Sequence, residues 1–363
     1  MQSFNRNDTV LYNLRSLYEQ YGYKRFKMSK FEEYDLYLEY KNFLQTENII
    51  TFTDLNGKLY AMKPDITLSI AKNAKPEEQQ KLYYKENVYR ASRTTKEYKE
   101  ITQLGVEYIG SIDAYTMGEA VYLAAKSLSL ISPEYVLDIS HMGFVSGIFE
   151  AAGIEGSRLE KLLGFLGQKD THEILYCCEQ YGVEKELAEK IASLSEVYGS
   201  FESVLEKIKN IVMNDKMASA VAELEQLYAV LSALGVGEHI NLDFSIINDM
   251  SYYNGVIYLG YVKDVPCSVL SGGRYDKLLE KLGKNCQAIG FAVYMDLLEL
   301  YDKSDREYDV DVLLVYDETA SPVEVSKKAA EYIAEGKSVK VMTGIPEMLK
   351  YKELVEITKE GEQ

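Results

Sequence analysis

Apolar positions over residues 9–22 fall at Val10, Leu11, Leu14, Leu17 and Tyr18, which is helical spacing, and Gly22 then supplies a stop. The pattern predicts an N-terminal helix leading into a strand. The stretch ENIITFTDLNGKLYAMKPDITLSIAKNA (47–74) reads as strand, an Asn56-Gly57 turn, a second strand, and a helix at 65–73 opened by Pro64. Asp65 and Thr67 therefore fall where a strand ends and a helix begins, a common place for ligand-binding groups. Strands follow in QKLYYKENVYRAS and EITQLGVEYIG, with a polar loop between them. In the second, alternation of period two places Gln103, Gly105 and Glu107 on one face and Leu104, Val106 and Tyr108 on the other. Gln103 and Glu107, ~13 Å apart at the strand rise, with glycine between them, leave room for a small ligand on the sheet.

The pattern changes from Ser157 to about Gly235, where SRLEKLLGFLG, VEKELAEKIASL and MASAVAELEQLYAVLSAL show long helical periods. This block is expected to be an all-helical insertion, read most simply as a solvated bundle, with subunit contact as the other reading. Strands resume at INLDFSI, GVIYLGYV and CSVLSGG, and QAIGFAVYMDLLELY turns from strand into helix. The tail from Asp309 reads strand, helix (SPVEVSKKAAEYIAEG), strand, and a charged end. No internal repeat or low-complexity segment is visible.

With 363 residues, the chain exceeds a usual single core, and 47% hydrophobic content is ample for a globular protein. A formal charge of -17, from 40 Lys+Arg against 57 Asp+Glu, argues against a general binder of nucleic-acid backbone, whose affinity rests on basic residues displacing counterions. Neither a signal peptide nor a run of roughly 18 apolar residues is present, so a soluble, cytoplasmic protein is expected. Cys177, Cys178, Cys267 and Cys286 contain no C-x-x-C and are expected to be reduced and structural. His141, His172 and His239 lack ligand-spaced partners, so neither a metal nor any other cofactor is expected.

Five segments in order resemble the catalytic core of histidyl-tRNA synthetases, a class II aminoacyl-tRNA synthetase family, over about residues 8–302. YGYKRFKMSKFE is similar to the entry strand, LYAMKPDIT to the L-R-P-E-x-T segment, and YRASRTTKEYKEITQLGVEYIG to the second class motif. SYYNGVIY and SGGRYD are similar to the histidine-specific loops, and AIGFAVYMDLL to the third class motif. The resemblance implies an α+β fold, a class II synthetase-like antiparallel sheet flanked by helices. Residues 1–305 would form this domain, with the helical insertion at about 155–236, and 306–363 a small, truncated C-terminal αβ domain.

The departures concern the cations that would stabilise charge developing on the α-phosphate of ATP. Arg90 of the second motif is present, but the third-motif arginine falls at Leu297 and the histidine-loop arginine at Asn248, beside Asp249. Ser92 and Glu97 replace an acidic and a basic residue of the second motif, and Ser29 replaces the first-motif proline. Each lost stabiliser costs on the order of 100- to 1000-fold in rate, so no aminoacylation and no catalytic residue are expected.

The resemblance implies that Asp65, Thr67, Arg90, Gln103, Glu107, Tyr252, Tyr253 and Tyr275 bind histidine. Carboxylates suit its ammonium and imidazole N–H groups, and Gln103 and Arg90 suit its carboxylate. Each also has a plainer reading. Tyr252 and Tyr253 are two of 31 tyrosines, Arg90 could pair with a structural carboxylate, and SGGRYD could be a phosphate loop or a tight turn presenting Tyr275. Lys63 stands where the family has arginine, keeping charge without a planar fork.

A histidine-sized site without an ATP site resembles the regulatory subunit of ATP phosphoribosyltransferase, a synthetase paralogue. That family implies a short-form catalytic subunit as partner, L-histidine as feedback inhibitor in histidine biosynthesis, self-association as a dimer, and a hetero-octamer. Two alternatives are a divergent histidyl-tRNA synthetase, disfavoured by Asn248 and Leu297, and a synthetase-like tRNA-binding or sensing protein, disfavoured by the net charge.

Overall fold

The computed structural model describes residues 6–40, 49–91, 97–247, 252–300, 308–358 and 361–362. They divide into one unit within 6–301 and a second within 302–363. In the first unit α1 (Arg6–Gln20) ends before Gly22, whose φ of +81° favours glycine, and leads to the short strand β1 (Lys24–Arg25). β2 (Phe31–Glu33), α2 (Tyr34–Glu39), β3 (Thr51–Thr53) and β4 (Leu59–Met62) follow. At the Asn56-Gly57 turn the Asp54 carboxylate accepts from the backbone N–H of Asn56 and of Lys58, both at 2.8 Å, while Gly57 takes φ +81°. The chain continues through α3 (Thr67–Asn73), β5 (Gln80–Ala91), β6 (Tyr98–Gly110), α4 (Ala114–Ile131), β7 (Tyr135–His141) and α5 (Met142–Ala151).

The insertion holds α6 (Gly156–Gly167), α7 (Thr171–Gln180), α8 (Lys185–Ser193), α9 (Phe201–Lys209) and α10 (Asp215–Ala233). It is not wholly helical, because Tyr198–Ser200 form β8, the edge strand of the main sheet. Nor is it a bundle apart: Leu162, Ile174, Ile191, Val204 and Leu224 belong to the same buried cluster as the sheet's Leu104 and Ile139. β9 (Ile240–Asp243), β10 (Val256–Val262), β11 (Leu270–Arg274), α11 (Asp276–Lys281), β12 (Gln287–Tyr294) and α12 (Met295–Leu300) complete the unit.

Nine strands form one sheet in the order β1-β5-β6-β12-β11-β10-β7-β9-β8. Neighbours from β5 to β7 run antiparallel, whereas β1 joins β5 and β9 joins β7 in parallel. One face buries Leu104, Val106 and Tyr108 in a cluster shared with α1 and α4, and α10 packs on α4 and α5. The other buries Tyr84, Val88 and Ile109 against Leu68 and Ile70 of α3 and Leu278 of α11, next to the small sheet β2-β4-β3.

In the second unit β13 (Val310–Tyr316) pairs in parallel with β14 (Val339–Met342) and β15 (Tyr351–Thr358), and β16 (Gly361–Glu362) pairs with β15. α13 (Pro322–Ala334) packs Val325 against Leu314 and Ile357. The charged end read from the sequence is thus partly strand: Lys352, Glu353 and Glu356 are exposed while Val355 and Ile357 are buried. None of the helices among the described residues is long and apolar enough to cross a membrane.

Candidate functional site

Register on the central strands shapes a pocket on the face opposite α4. Glu107 of β6 lies beside Gly290 of β12, and Gly105 beside Ala292. A Cβ at Gly290 would collide with the Glu107 carboxylate and the Val106 carbonyl; one at Gly105 would meet the Phe291 carbonyl and, at 2.6 Å, the Tyr84 hydroxyl. Glycine at these two positions leaves the sheet floor open and seats the Glu107 carboxylate within it.

All eight residues singled out from the sequence line one cavity of about 430 Å³, part of it open to solvent. Glu107 lies at its floor, 2% exposed. Its Oε1 accepts from Thr67 Oγ1 at 3.0 Å and its Oε2 from Tyr275 Oη at 2.6 Å. Burial raises the Glu107 carboxyl to about 8; the two hydroxyl donors pull it back and the Asp65 charge adds to the rise.

Asp65 stands before α3, where its Oδ1 accepts from the Leu68 N–H at 2.8 Å and so caps the helix. Its Oδ2 lies 3.5 Å from Arg90 Nη2, and Arg90 Nε donates to the Pro64 carbonyl at 2.7 Å. Burial raises the Asp65 carboxyl, opposed by the Arg90 charge and by the N–H groups of Leu68 and Thr67. Gln103, paired in β6 between Glu86 of β5 and Tyr294 of β12, is 5% exposed and its side chain lines the cavity. Tyr252 packs on Tyr253 at 4.5 Å between ring centroids and on Tyr275 at 5.7 Å, forming an aromatic wall.

Among the lining residues that the sequence reading missed, three carry hydroxyls: Tyr84 beneath Gly105, and Ser271 with Tyr294, whose hydroxyls lie 2.6 Å apart. Ser271 belongs to SGGRYD, so that motif held a signal; Tyr84 and Tyr294 are indistinguishable in sequence from core tyrosines. SGGRYD is neither a phosphate loop nor a tight turn. Gly272 and Gly273 lie within β11, where a side chain on Gly273 would press on Tyr253 at 2.8 Å, and Tyr275 follows the strand end.

Other singled-out positions stand outside the cavity. Lys63 is fully buried, with Nζ donating to Glu86 Oε2 at 3.1 Å; desolvation lowers its pKa. Leu297 packs against the main core, and Glu97 and Ser29 are exposed. Asn248, Asp249 and Ser92 lie outside the described residues. Within the described residues, no group of three or more His, Cys, Asp or Glu side chains could hold a metal ion. The cavity can thus offer carboxylates to cationic N–H groups at two depths, and an amide with a guanidinium to an anionic group.

Fold and pocket together define a class II synthetase-like core, and the chain belongs to the histidyl-tRNA synthetase family, which it matches over residues 2–298. Within that fold it groups with the regulatory subunits of ATP phosphoribosyltransferase. It is 32% identical over 304 residues to the ATP phosphoribosyltransferase regulatory subunit of Caldanaerobacter subterraneus subsp. tengcongensis, covering 81% of this chain and 78% of that protein. A crystal structure of an ATP phosphoribosyltransferase regulatory subunit/histidyl-tRNA synthetase from Bacillus halodurans superposes with a TM-score of 0.81 at 25% identity, covering 97% of this chain and 94% of that one. A chain of the ATP phosphoribosyl transferase complex from Thermotoga maritima shares the fold, with a TM-score of 0.63 at 18% identity over 80% of this chain and 97% of that one.

Proposed function

We propose that the chain is the histidine-sensing regulatory subunit of an ATP phosphoribosyltransferase, with no aminoacylation activity of its own. It activates a short-form catalytic subunit for the first step of histidine biosynthesis, in the cytoplasm, and L-histidine bound in the cavity inhibits the assembly. The observation that carries the reading is the buried Glu107 with Thr67 and Tyr275, below Asp65 and Gln103. In this reading Asp65 meets the ligand ammonium, Gln103 and Arg90 its carboxylate, and Glu107 its imidazole, against the wall of Tyr252, Tyr253 and Tyr275. Arg90 already pairs with Asp65, Lys63 with Glu86, and Leu297 stands where the family's third-motif arginine would meet ATP. The relatives' names support the partner, and the family resemblance supports dimers within a hetero-octamer. Feedback further requires histidine to bind the inhibited assembly more tightly than the active one.

Two measurements separate sensor from enzyme. Calorimetric titration with L-histidine should give saturable binding that is lost in Glu107→Ala. Histidine-dependent exchange of pyrophosphate into ATP should stay at background; exchange above background would make the chain a synthetase.

A further inference from the structure

Behind the aromatic wall, a chain of charged groups connects the pocket to the insertion. Asp276, 5% exposed, follows Tyr275 and organises it. Its Oδ1 accepts from the Ala288 N–H at 3.1 Å, and its Oδ2 from Asn254 Nδ2 at 2.9 Å and Arg274 Nε at 2.8 Å. Asn254 directly follows Tyr252 and Tyr253. It is tied to the 274–276 segment twice more, through Asp276 N–H to its Oδ1 at 3.0 Å and its own N–H to the Arg274 carbonyl at 3.2 Å. Both tyrosine-bearing segments are therefore fastened to the Asp276 carboxylate, which the Arg274 guanidinium engages in turn.

The guanidinium has a second anionic neighbour, which comes from another element. Arg274 Nη1 lies 3.9 Å from Oε2 of Glu223 on α10, and that oxygen lies 3.2 Å from Nε2 of the buried His141 at the end of β7. The arginine stem passes over Gly255, where an added Cβ would be 2.9 Å from Arg274 Cδ. The Gly255 carbonyl in turn accepts from the Met142 N–H at the start of α5, at 2.9 Å. The Arg274 side chain is 14% exposed, so its position is set by the carboxylates around it.

We propose that Glu223 is a positioning residue for the pocket: by holding the outer end of Arg274 it fixes the segments carrying Tyr252, Tyr253 and Tyr275, coupling the insertion helix to ligand binding. The proposal rests on the reading that the cavity takes L-histidine. Because Glu223 is 39% exposed and its contact with Arg274 is long, the pair adds little to global stability, whereas its geometric effect falls on the pocket. Positioning and mere structural support are separable for that reason.

The experiment uses the full chain with Glu223→Gln, Glu223→Asp and Glu223→Lys, read by L-histidine calorimetry, thermal unfolding and hydrogen exchange of the ligand-free protein. The expected result is an affinity loss of about threefold for Glu223→Gln, which keeps a hydrogen-bonding group beside His141 and leaves the thermal midpoint unmoved, and of about tenfold or more for Glu223→Lys, with Glu223→Asp closer to wild type. Exchange at Asn254 and Tyr275 should accelerate without histidine present, while the core strand Val136–Ser140 stays protected. Unchanged exchange at those amides in Glu223→Lys overturns the proposal, as does an affinity loss accompanied by a lowered midpoint and general loss of protection. Failure of the wild-type chain to bind histidine refutes the ligand reading instead, and the ligand-free exchange still decides the positioning role.

Discussion

Glu107 is the residue on which the account turns, because its carboxyl is buried with hydroxyl partners and its pKa rises to about 8. The empty site thus holds a proton below about pH 8, while free imidazole gains one only below about 6.5. A bound pair sharing one proton between carboxylate and imidazole forms without net proton exchange between those values. Above the window binding takes up a proton, and below it binding releases one. Histidine affinity is therefore expected to peak at about pH 6.5–8 and fall on both sides, by up to tenfold per pH unit, in a calorimetric series across pH. A pH-independent affinity would separate Glu107 from the imidazole.

The same raised pKa has a sign for stability. The folded empty protein keeps a proton that the unfolded chain has lost between pH 4.5 and about 8, so the carboxyl increasingly opposes folding as pH rises through that window. Glu107→Gln should raise the thermal midpoint of the ligand-free chain more at about pH 8.5 than at about pH 5.5, with roughly 2–4 °C for each kcal/mol recovered. A gain that is equal at both values would mean that the carboxyl is not the cause. That the eight singled-out residues line one cavity was legible because each sits in a short segment that resembles a synthetase-core motif. Tyr84 and Tyr294 were not, since only strand register turns them to the cavity.

At the scale of elements, β6 against β12 is the critical pairing. Gly290→Ala would force a methyl group into the Glu107 carboxylate and the Val106 carbonyl; the carboxylate could yield only by leaving its partners Thr67 and Tyr275, and the carbonyl only by moving a central strand. The expected outcome is a loss of about 1–3 kcal/mol in urea unfolding together with lost histidine binding; unaltered binding would show that the carboxylate need not sit where the glycine admits it. Alternating strands such as β6 were legible from period two alone. α4 and β7 were not assigned; α4 is buried round most of its circumference, with Val121, Leu123, Ala124 and Leu128 all inaccessible, so few polar positions outline its apolar stripe. β15 was hidden by its exposed Lys352, Glu353 and Glu356, since only Val355 and Ile357 mark its inner face.

For the whole molecule, one sheet carries a pocket lined by Asp65, Glu107, Gln103 and three tyrosines, and the proposed function sets it against the substitutions at ATP-handling positions and a charge of -17. The core's fold class followed from five ordered motifs, whereas its strand order, the parallel pairing of β1 and β9, and the merging of the insertion with the main core depended on tertiary contacts that no local pattern encodes. The most direct test of the central claim is phosphoribosyl-ATP formation by the short catalytic subunit of the same source, measured with and without this chain and across a histidine titration. Activity should require the chain, decline with histidine, and resist histidine when the chain carries Glu107→Ala. Activity indifferent to the chain, or equally inhibited with the Glu107→Ala chain, would contradict it.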